Sequence, residues 1–293
     1  GGPMKKMFAA TFLAMLIISD VYAAQSTVVD AEGTACMGDD RTRKQTEQAA
    51  LTDAKKRAVE RTSTYIRNET EVKNFVVEKD LLSAYANAEV KVLEELEGSW
   101  YKDPSTGDCF RMRIKAEVIP DVRTMETLAK DSRFAEDPSA PLRVKAWTDK
   151  KSYKEGDRIK VYIKGNKPFY ARVLYKDASG GTIQLLPNAY RSENYFNGGT
   201  VYEVPTGNDQ FELEVSPPFG EENVIVYAST AALGEISTAT RGAFIQVQTS
   251  AKDIGVMTRG VKIAAKSGGT STASSPAAAA EFFEDTVKIV SGK

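Results

Sequence analysis

The first pattern along the chain mixes helix and strand periodicities between residues 25 and 135. Apolar and small side chains recur every three or four residues from Arg41 to Asn68, which predicts a long helix with an alanine-rich face. From Phe110 to Val118 apolar and charged residues alternate, which predicts a half-buried antiparallel strand. Further elements are predicted as strands at 27–37 and around 90–92, a turn at 102–108, and helices at 78–85 and 121–130. Residues 25–135 are therefore expected to form a small α+β domain with helices on an antiparallel sheet.

Beyond residue 141 the pattern changes to β signals almost throughout. Residues 136–141 combine prolines with polar residues, which predicts a linker between two domains. Short alternating segments follow, separated by clusters of glycine, proline and asparagine. Such segments lie at 142–146, 159–164, 169–176, 182–186, 200–204, 210–215 and 223–229. This spacing is typical of packed antiparallel sheets, so we expect an all-β sandwich over residues 142–266.

The C-terminal region adds a low-complexity segment between two further patterns. Residues 256–265 predict a strand, and residues 267–280 contain mainly Gly, Ser, Thr and Ala, which is typical of a flexible loop. Residues 281–284 suggest a helical turn, and 286–290 alternates again. We expect residues 281–293 to return to the sandwich as a strand paired with the 256–265 strand. The alternative is a disordered tail with a short binding segment.

The N-terminal residues carry the pattern of a targeting segment. A short positive region begins at Met4, and residues 7–18 are almost wholly apolar. A core of about 12 apolar residues suits a signal peptide and is too short for an ordinary membrane span. We therefore expect a signal peptide at residues 4–23, cleaved after Ala23 or one residue later, and a periplasmic or secreted protein with no transmembrane span after cleavage. An uncleaved anchor is the alternative. Residues 1–3 are interpreted as a remnant of cloning.

The overall composition restricts the chemistry more than the pattern does. The 293 residues include 39 Lys and Arg against 40 Asp and Glu, for a formal net charge of −1. Because this composition supplies no global positive field, the chain is not expected to bind nucleic acid. Histidine is absent, which removes the usual general base near neutral pH, the common nucleophile pairs and nearly all zinc sites. We therefore expect no enzyme, no metal site and no cofactor.

The chain contains two cysteines, Cys36 and Cys109. In an oxidising compartment an even pair predicts a disulfide. The two residues can meet if the first predicted strand pairs beside the strand that starts near Cys109. The alternative is a pair of free buried thiols.

One loop of the predicted sandwich combines aromatic and amide side chains. It spans residues 190–199 and contains Tyr190, Asn194, Tyr195 and Phe196. Tyr and Phe offer a large contact area at low entropic cost, so these residues are candidates for stacking on a sugar or a peptide. The alternative is that the last two rings plug the end of the sandwich.

A second candidate surface is basic. Arg111, Arg113 and Lys115 share one face of the predicted strand at 110–118. They could form a binding patch, but we favour a solvent face on which they pair with nearby acids.

Two groups of motifs resemble known families. The motifs of the second domain are Tyr153-Lys154-Glu155-Gly156-Asp157, Gly180-Gly181, Leu185-Leu186-Pro187-Asn188, Pro217-Pro218-Phe219-Gly220 and Ala228-Ser229. In order and approximate spacing they resemble the DUF4384 family, a domain of unknown function common in secreted bacterial proteins. That resemblance implies no catalytic residues. Residues 33–58 and 109–118 of the first domain resemble the N-terminal domain of flagellar outer-ring (FlgT-type) and LPP20-type envelope proteins.

These features together favour a non-catalytic exported envelope protein. We expect it to act as a protein–protein interaction or assembly module whose partner is another envelope protein. The first alternative is carbohydrate or peptidoglycan binding through the 190–199 loop, with a glycan as the partner. The second is a carboxylate-dependent hydrolase, which would need two acids facing each other at about 5–10 Å in a cleft.

Overall fold

The computed structural model describes residues 24–69, 75–241, 244–260 and 279–293. The predicted signal peptide at 4–23 and nearly all of the loop predicted at 267–280 lie outside these residues. The helices are α1 (Arg43–Glu69), α2 (Phe75–Ala86), α3 (Val122–Ala129), α4 (Ser132–Glu136) and α5 (Ala251–Thr258). The strands are β1 (Ala24–Cys36), β2 (Glu89–Asp103), β3 (Gly107–Ile119), β4 (Val144–Thr148), β5 (Ser152–Lys154), β6 (Val161–Gly165), β7 (Phe169–Lys176), β8 (Thr182–Leu186), β9 (Tyr195–Phe196), β10 (Val201–Val204), β11 (Glu221–Ser229), β12 (Thr238–Arg241), β13 (Phe244–Val247) and β14 (Ala280–Gly292).

One sheet of eleven strands contains residues from both predicted domains. Its main path has the order β12-β13-β8-β7-β11-β14-β1-β3-β2. Beside this path, β5 pairs with β14 and β9 pairs with β7. Its pairings are antiparallel except that of β5 with β14. A second, antiparallel sheet has the order β10-β6-β4. The broad α+β class is confirmed, whereas the division into two domains stays a prediction because one sheet runs through both parts.

Helix α1 packs on β1 and β3 through small side chains. Its buried residues include Thr46, Ala50, Ala54, Ala58 and Thr62. A Cβ on Gly33 of β1 would lie only 2.1 Å from the backbone nitrogen of Ala54. Glycine at this position therefore lets the helix lie against the strand. The helix predicted at 41–68 is confirmed as α1.

Helix α1 also covers an edge of the sheet. Beyond Val28, no described strand pairs with β1 on the side of β14. There the backbone N–H of Thr34 donates to a carboxylate oxygen of Asp53 at 2.9 Å, and the Arg61 guanidinium donates to the carbonyl of Asp30. Side chains of α1 thus satisfy backbone groups that would otherwise form an open strand edge.

Strand β14 joins the two parts of the large sheet. It pairs with β1 along Ala280–Glu284 and with β11 along Phe282–Val290. Residues 281–292, within the stretch expected to return to the sandwich, lie in this strand. The predicted helical turn at 281–284 is wrong, because these residues pair with strands on both sides. The predicted partner at 256–265 is also wrong where it is described, because α5 reaches Thr258.

Helix α5 begins with a side-chain cap that local alternation did not reveal. The Ser250 hydroxyl donates to the Asp253 carboxylate at 2.6 Å and accepts from the Asp253 N–H at 3.3 Å. Such caps satisfy the free N–H groups of a helix start. Ile254 then packs against Leu174 and Tyr227 of the large sheet. By strand register these residues lie on the face opposite α1.

The small sheet packs on the remaining face of β7, β11 and β14. Its contribution to the shared core includes Ala146, Val161, Ile163 and Val204. The large sheet contributes Ala171, Val173, Val224, Val226, Val287 and Ile289. The all-β sandwich at 142–266 stays a prediction, because the large sheet also contains β1, β2 and β3. The strand predicted at 210–215 is wrong, because Glu214 forms only an isolated bridge with Arg158.

The stretch predicted as a linker, 136–141, is packed in place. The Asn166 amide donates to the carbonyls of Asp137, Ala140 and Pro141, at 2.8, 3.3 and 3.2 Å. Ala140 is fully buried. These contacts hold the chain where it passes from the helices to the small sheet.

Candidate functional site

The aromatic loop between β8 and β10 divides its side chains between core and solvent. Phe196 is only 1% exposed. Its ring stacks on Phe169 at 5.3 Å and meets Tyr202 edge-on at 4.9 Å. Phe196 is therefore a core residue between the large and small sheets, and it offers no free face to a ligand.

The two tyrosines of the loop remain accessible. Tyr190 is 52% and Tyr195 is 44% exposed. Tyr190 stacks on Phe211 with ring centroids 6.3 Å apart, and Tyr195 meets Tyr170 edge-on at 5.0 Å. Successive residues of a strand point to opposite faces, which explains why Tyr195 is exposed while its neighbour in β9 is buried.

Backbone and side-chain bonds fix the shape of this loop. The Asn188 side chain accepts from the N–H groups of Tyr190 and Arg191, both at 2.8 Å. Arg191 forms an ion pair with Asp209 at 3.2 Å. The backbone carbonyl of Asn194 accepts from the N–H of Ala171 at 2.8 Å. The loop thus presents two preformed tyrosine rings, and the binding role of Tyr190, Asn194 and Tyr195 stays a prediction.

The predicted disulfide is present. Cys36 at the end of β1 lies directly opposite Cys109 in β3, with an S–S distance of 1.99 Å. The Thr106 hydroxyl lies 3.2 Å and 3.3 Å from the two sulfurs. The bond fastens the end of β1 to the hairpin of β2 and β3.

The basic face of β3 is paired with acids. Arg111 lies 3.4 Å from Glu32, and Arg113 lies 3.0 Å from Asp30. Lys115 donates to the carbonyl of Gly260 at 3.2 Å. The two arginines thus pair with nearby acids, as predicted, but Arg113 and Asp30 are largely buried and Lys115 binds a carbonyl, so this is not simply a solvent face.

A buried carboxylate, Glu281, connects distant parts of the fold. Glu281 is 1% exposed and forms an ion pair with Lys167 at 3.2 Å. It also accepts from the hydroxyl of Tyr65 on α1 at 3.2 Å and from the backbone N–H of Leu142. Burial, together with Glu281, raises the pKa of Tyr65. Tyr65 therefore stays neutral and donates its proton to the carboxylate.

A second polar cluster lies on the opposite face of the sheet, against α5. Glu117 of β3 accepts from the Ser26 hydroxyl at 2.6 Å and pairs with Arg259 at 2.6 Å. Glu284 of β14 lines the same cleft of about 410 Å³, which we call the Glu284 cleft. Burial raises the pKa of Glu284, with the negative charge of Glu117 adding to the effect and Arg259 opposing it.

Arg172 is a buried cation beside this cluster. It is 8% exposed and donates to the Thr258 hydroxyl at 3.2 Å. Burial lowers its pKa. Arg172 lies opposite Tyr227, which lies opposite Glu284 on the next strand. Across the three neighbouring strands β7, β11 and β14, Tyr227 thus lies between the cation Arg172 and the acid Glu284.

Two other clefts have mixed linings. One of about 870 Å³ beside the β1 edge includes Asp30 and Arg61 among its lining residues. The other, of about 560 Å³ between α4 and the small sheet, includes Lys130, Arg143 and Asp285. Across residues 24–69, 75–241, 244–260 and 279–293, no group of three or more Cys, Asp or Glu is arranged to hold a metal ion. In the same ranges, no helix is both long and apolar enough to cross a membrane.

The sequence did not single out Glu281, Glu284, Arg172 or Arg259. Their roles depend on partners up to 216 residues away, as for the bond between Tyr65 and Glu281. The sequence offered one signal for Glu281. This acid lies between the apolar residues Ala280 and Phe282, in a strand that is covered on both faces. An acid at such a position requires a partner.

Comparison with known families matches residues 152–232 to a domain of unknown function (DUF4384). No curated protein and no solved structure matches the chain. The matched segment lies within the predicted sandwich at 142–266 and includes the motifs on which the resemblance rested. The chain contains a DUF4384 domain at residues 152–232.

Proposed function

We propose that this is a non-catalytic exported protein of the bacterial envelope that works as an assembly module. The signal-peptide pattern at 4–23 supports export to the periplasm or beyond. The disulfide between Cys36 and Cys109 supports an oxidising compartment. The resemblance of residues 33–58 and 109–118 to flagellar outer-ring and LPP20-type domains supports a place in the envelope.

The outer edge of β2 is the observation that carries the assembly role. β2 has 15 residues and ends the large sheet, and its outer edge pairs with no other strand in the described structure. Its first half is interrupted by irregularities between Val92 and Glu94 and between Glu95 and Glu97. Such bulges protect an edge from pairing. The second half, 97–103, pairs regularly with β3 and so presents an orderly row of free backbone groups.

The partner that fits this edge is an extended segment of another envelope protein. A strand that adds to a sheet edge gains backbone hydrogen bonds, and the side chains around it supply specificity. Here Tyr101 is exposed at the edge, with the Arg111 guanidinium 5.3 Å from its ring centre. Strand addition at 97–103 thus extends the eleven-stranded sheet.

Site-specific photocrosslinking in intact cells tests this proposal. A photoreactive amino acid at exposed Ser99 should capture one defined protein, whereas the same group at exposed Val122 on α3 should not. Consecutive N–H groups in an antiparallel strand point to opposite edges, so one of Gly98→Pro and Ser99→Pro removes an outward donor. With the photoreactive group moved to exposed Tyr101, the proline variant that keeps the parent melting temperature should lose the crosslink. Equal capture at positions 99 and 122 would contradict the proposal.

Glycan binding through the 190–199 loop is the second candidate, and the exposure of Tyr190 and Tyr195 supports it. Tyr190→Ala and Tyr195→Ala should each reduce retention on peptidoglycan sacculi, since each removes a stacking ring. Tyr101→Ala removes an exposed tyrosine elsewhere and is the matched control. If all three variants are retained like the parent, the loop is not the binding site.

A further inference from the structure

The first residue of β1 faces a carboxyl that has no protein partner among the described residues. Ala24 is exposed and lies directly opposite Glu284 of β14 in the antiparallel register. Both residues line the Glu284 cleft. Directly opposed residues in an antiparallel pair have Cβ atoms about 4.5–5.5 Å apart, so the Glu284 carboxyl can reach the backbone nitrogen of its partner.

Glu284 differs from the other acids enclosed in the large sheet. Asp30, Glu117 and Glu281 each form an ion pair, and Glu222 accepts from the Tyr175 hydroxyl at 2.5 Å. In the described residues, by contrast, the Glu284 carboxyl has no hydrogen bond and no ion pair. Arg259, whose charge lowers the pKa of Glu284, is already engaged by Glu117 and by the Gly255 carbonyl at 2.7 Å. The Glu284 oxygens are not fully buried, so the cleft leaves them accessible to a further donor.

We propose that export processing gives this carboxyl a charged partner: the α-ammonium group of Ala24, released when the chain is cut after Ala23, pairs with the Glu284 carboxylate opposite it. This inference rests on the proposed export and on its cleavage site. A signal peptidase hydrolyses the Ala23–Ala24 peptide bond with one water, leaving a carboxylate on Ala23 and an amine on Ala24 that takes up a proton. A neutral amide with one N–H becomes a cation with three N–H donors beside the carboxyl.

The pairing links maturation to the stability of the sheet. Before the cut, burial raises the pKa of Glu284, so a charge on this group is disfavoured. After the cut, an opposite charge favours the ionised carboxylate. The other charged or titratable groups around it are Lys91, Glu117, Tyr227 and Arg259. Since β1 and β14 form the seam of the large sheet, the new ion pair fastens that seam only in the processed protein.

The pH dependence has a definite sign. An ordinary α-amino group has a pKa of about 7.7–8.0, and pairing with Glu284 raises the folded-state value. The resulting stability is fully present below the unfolded pKa and is lost as the pH rises through the folded pKa. The melting temperature of the processed protein should therefore exceed that of Glu284→Gln at pH 7, and the difference should vanish well above pH 9.

The experiment uses processed protein isolated from the envelope. N-terminal sequencing comes first and should give Ala24. Cyanate then modifies the free amine, and mass spectrometry follows the rate at the N-terminus. Because only the unprotonated amine reacts, a pKa raised by one unit slows the reaction about tenfold at pH 7. Glu284→Gln should restore the ordinary rate.

The controls separate this inference from the export proposal. Asp285→Asn alters the next residue of β14, a partly buried acid on the other face whose pKa is also raised by burial, and should leave the cyanate rate unchanged. A chain that starts elsewhere overturns both the cleavage site and the inference. A chain that starts at Ala24 but reacts equally in the parent and in Glu284→Gln overturns the inference alone. If Glu284→Gln does not fold, an ordinary α-amino pKa in the parent protein would likewise overturn the inference alone.

Discussion

Gly33 lies where the backbone of α1 packs against β1, and a larger side chain does not fit at this position. A methyl group there would meet the backbone of Ala54 and of Ala50, at 2.1 and 2.3 Å. Backbone cannot rotate aside as a side chain can, so α1 would have to move away from β1.

We predict that Gly33→Ala lowers the free energy of unfolding by about 1–3 kcal/mol or more, as expected for overpacking. Urea denaturation of the oxidised protein measures the change. Gly207→Ala is the control, because a Cβ there meets nothing within 4 Å. Equal midpoints for the two variants would show that α1 is not held as closely as the structure indicates.

At the same scale, the contrast between Phe196 and Tyr195 separates packing from recognition. Phe196→Ala should cost about 3–5 kcal/mol of unfolding free energy, because it empties a core position between Phe169 and Tyr202. Tyr195→Ala should cost much less, because the ring is 44% exposed. Thermal or urea unfolding gives both values, and similar costs would contradict the division of the loop.

At the scale of elements, the disulfide holds β1 to the hairpin of β2 and β3. The linked residues are separated by 73 positions in the chain. Closing a loop of this length in the unfolded chain is worth roughly 4 kcal/mol in the chain-entropy description. The variant with both Cys36→Ala and Cys109→Ala should lose stability of that order.

The same variant should be insensitive to reducing agent, whereas the parent protein should be destabilised by it. Urea midpoints with and without reductant make the comparison. A parent protein whose midpoint does not respond to reduction would mean that the bond restricts the unfolded chain little.

Elements whose pattern is local were well predicted from the sequence. Helix α1 and strands β7 and β8 follow from their own periodicity, because burial of one face dictates their spacing. Strand β14 was predicted only in part. Its apolar pair Phe282 and Phe283 is not alternating, because one ring packs on each covered face of the sheet. Helix α5 was missed because the cap at Ser250 and the packing of Ile254 outweigh a pattern that favoured a strand further along.

The candidate site was predictable to a smaller extent. The cysteine pair could be inferred because the register of two neighbouring strands brings its members together. The environment of Glu281 and Glu284 could not, because it is created by strand pairings between opposite ends of the chain. Local patterns carry no information on which distant groups will meet a buried acid.

At the scale of the whole molecule, Glu281 connects α1, the chain before the small sheet and the segment before β7. We predict that Glu281→Gln costs about 3–5 kcal/mol, because Lys167 would remain buried without its counter-charge. Glu212→Gln removes one member of an exposed pair with Arg158 and should cost about 1 kcal/mol or less. Urea denaturation of both variants measures these costs. Equal losses of unfolding free energy would show that the buried pair contributes no more to stability than the exposed pair.

The position of β14 between β1 and β11 also determines when the large sheet can be completed during folding. Every other described strand of the sheet precedes β14 in the chain, so the two portions of the sheet cannot join until that segment has been synthesised. Until then the β1 edge at Ala24–Val28 and the β11 edge at Glu221–Ser229 are both open, and pairings over such separations form slowly. Under the export proposed above, the chain would cross the membrane before its large sheet is complete.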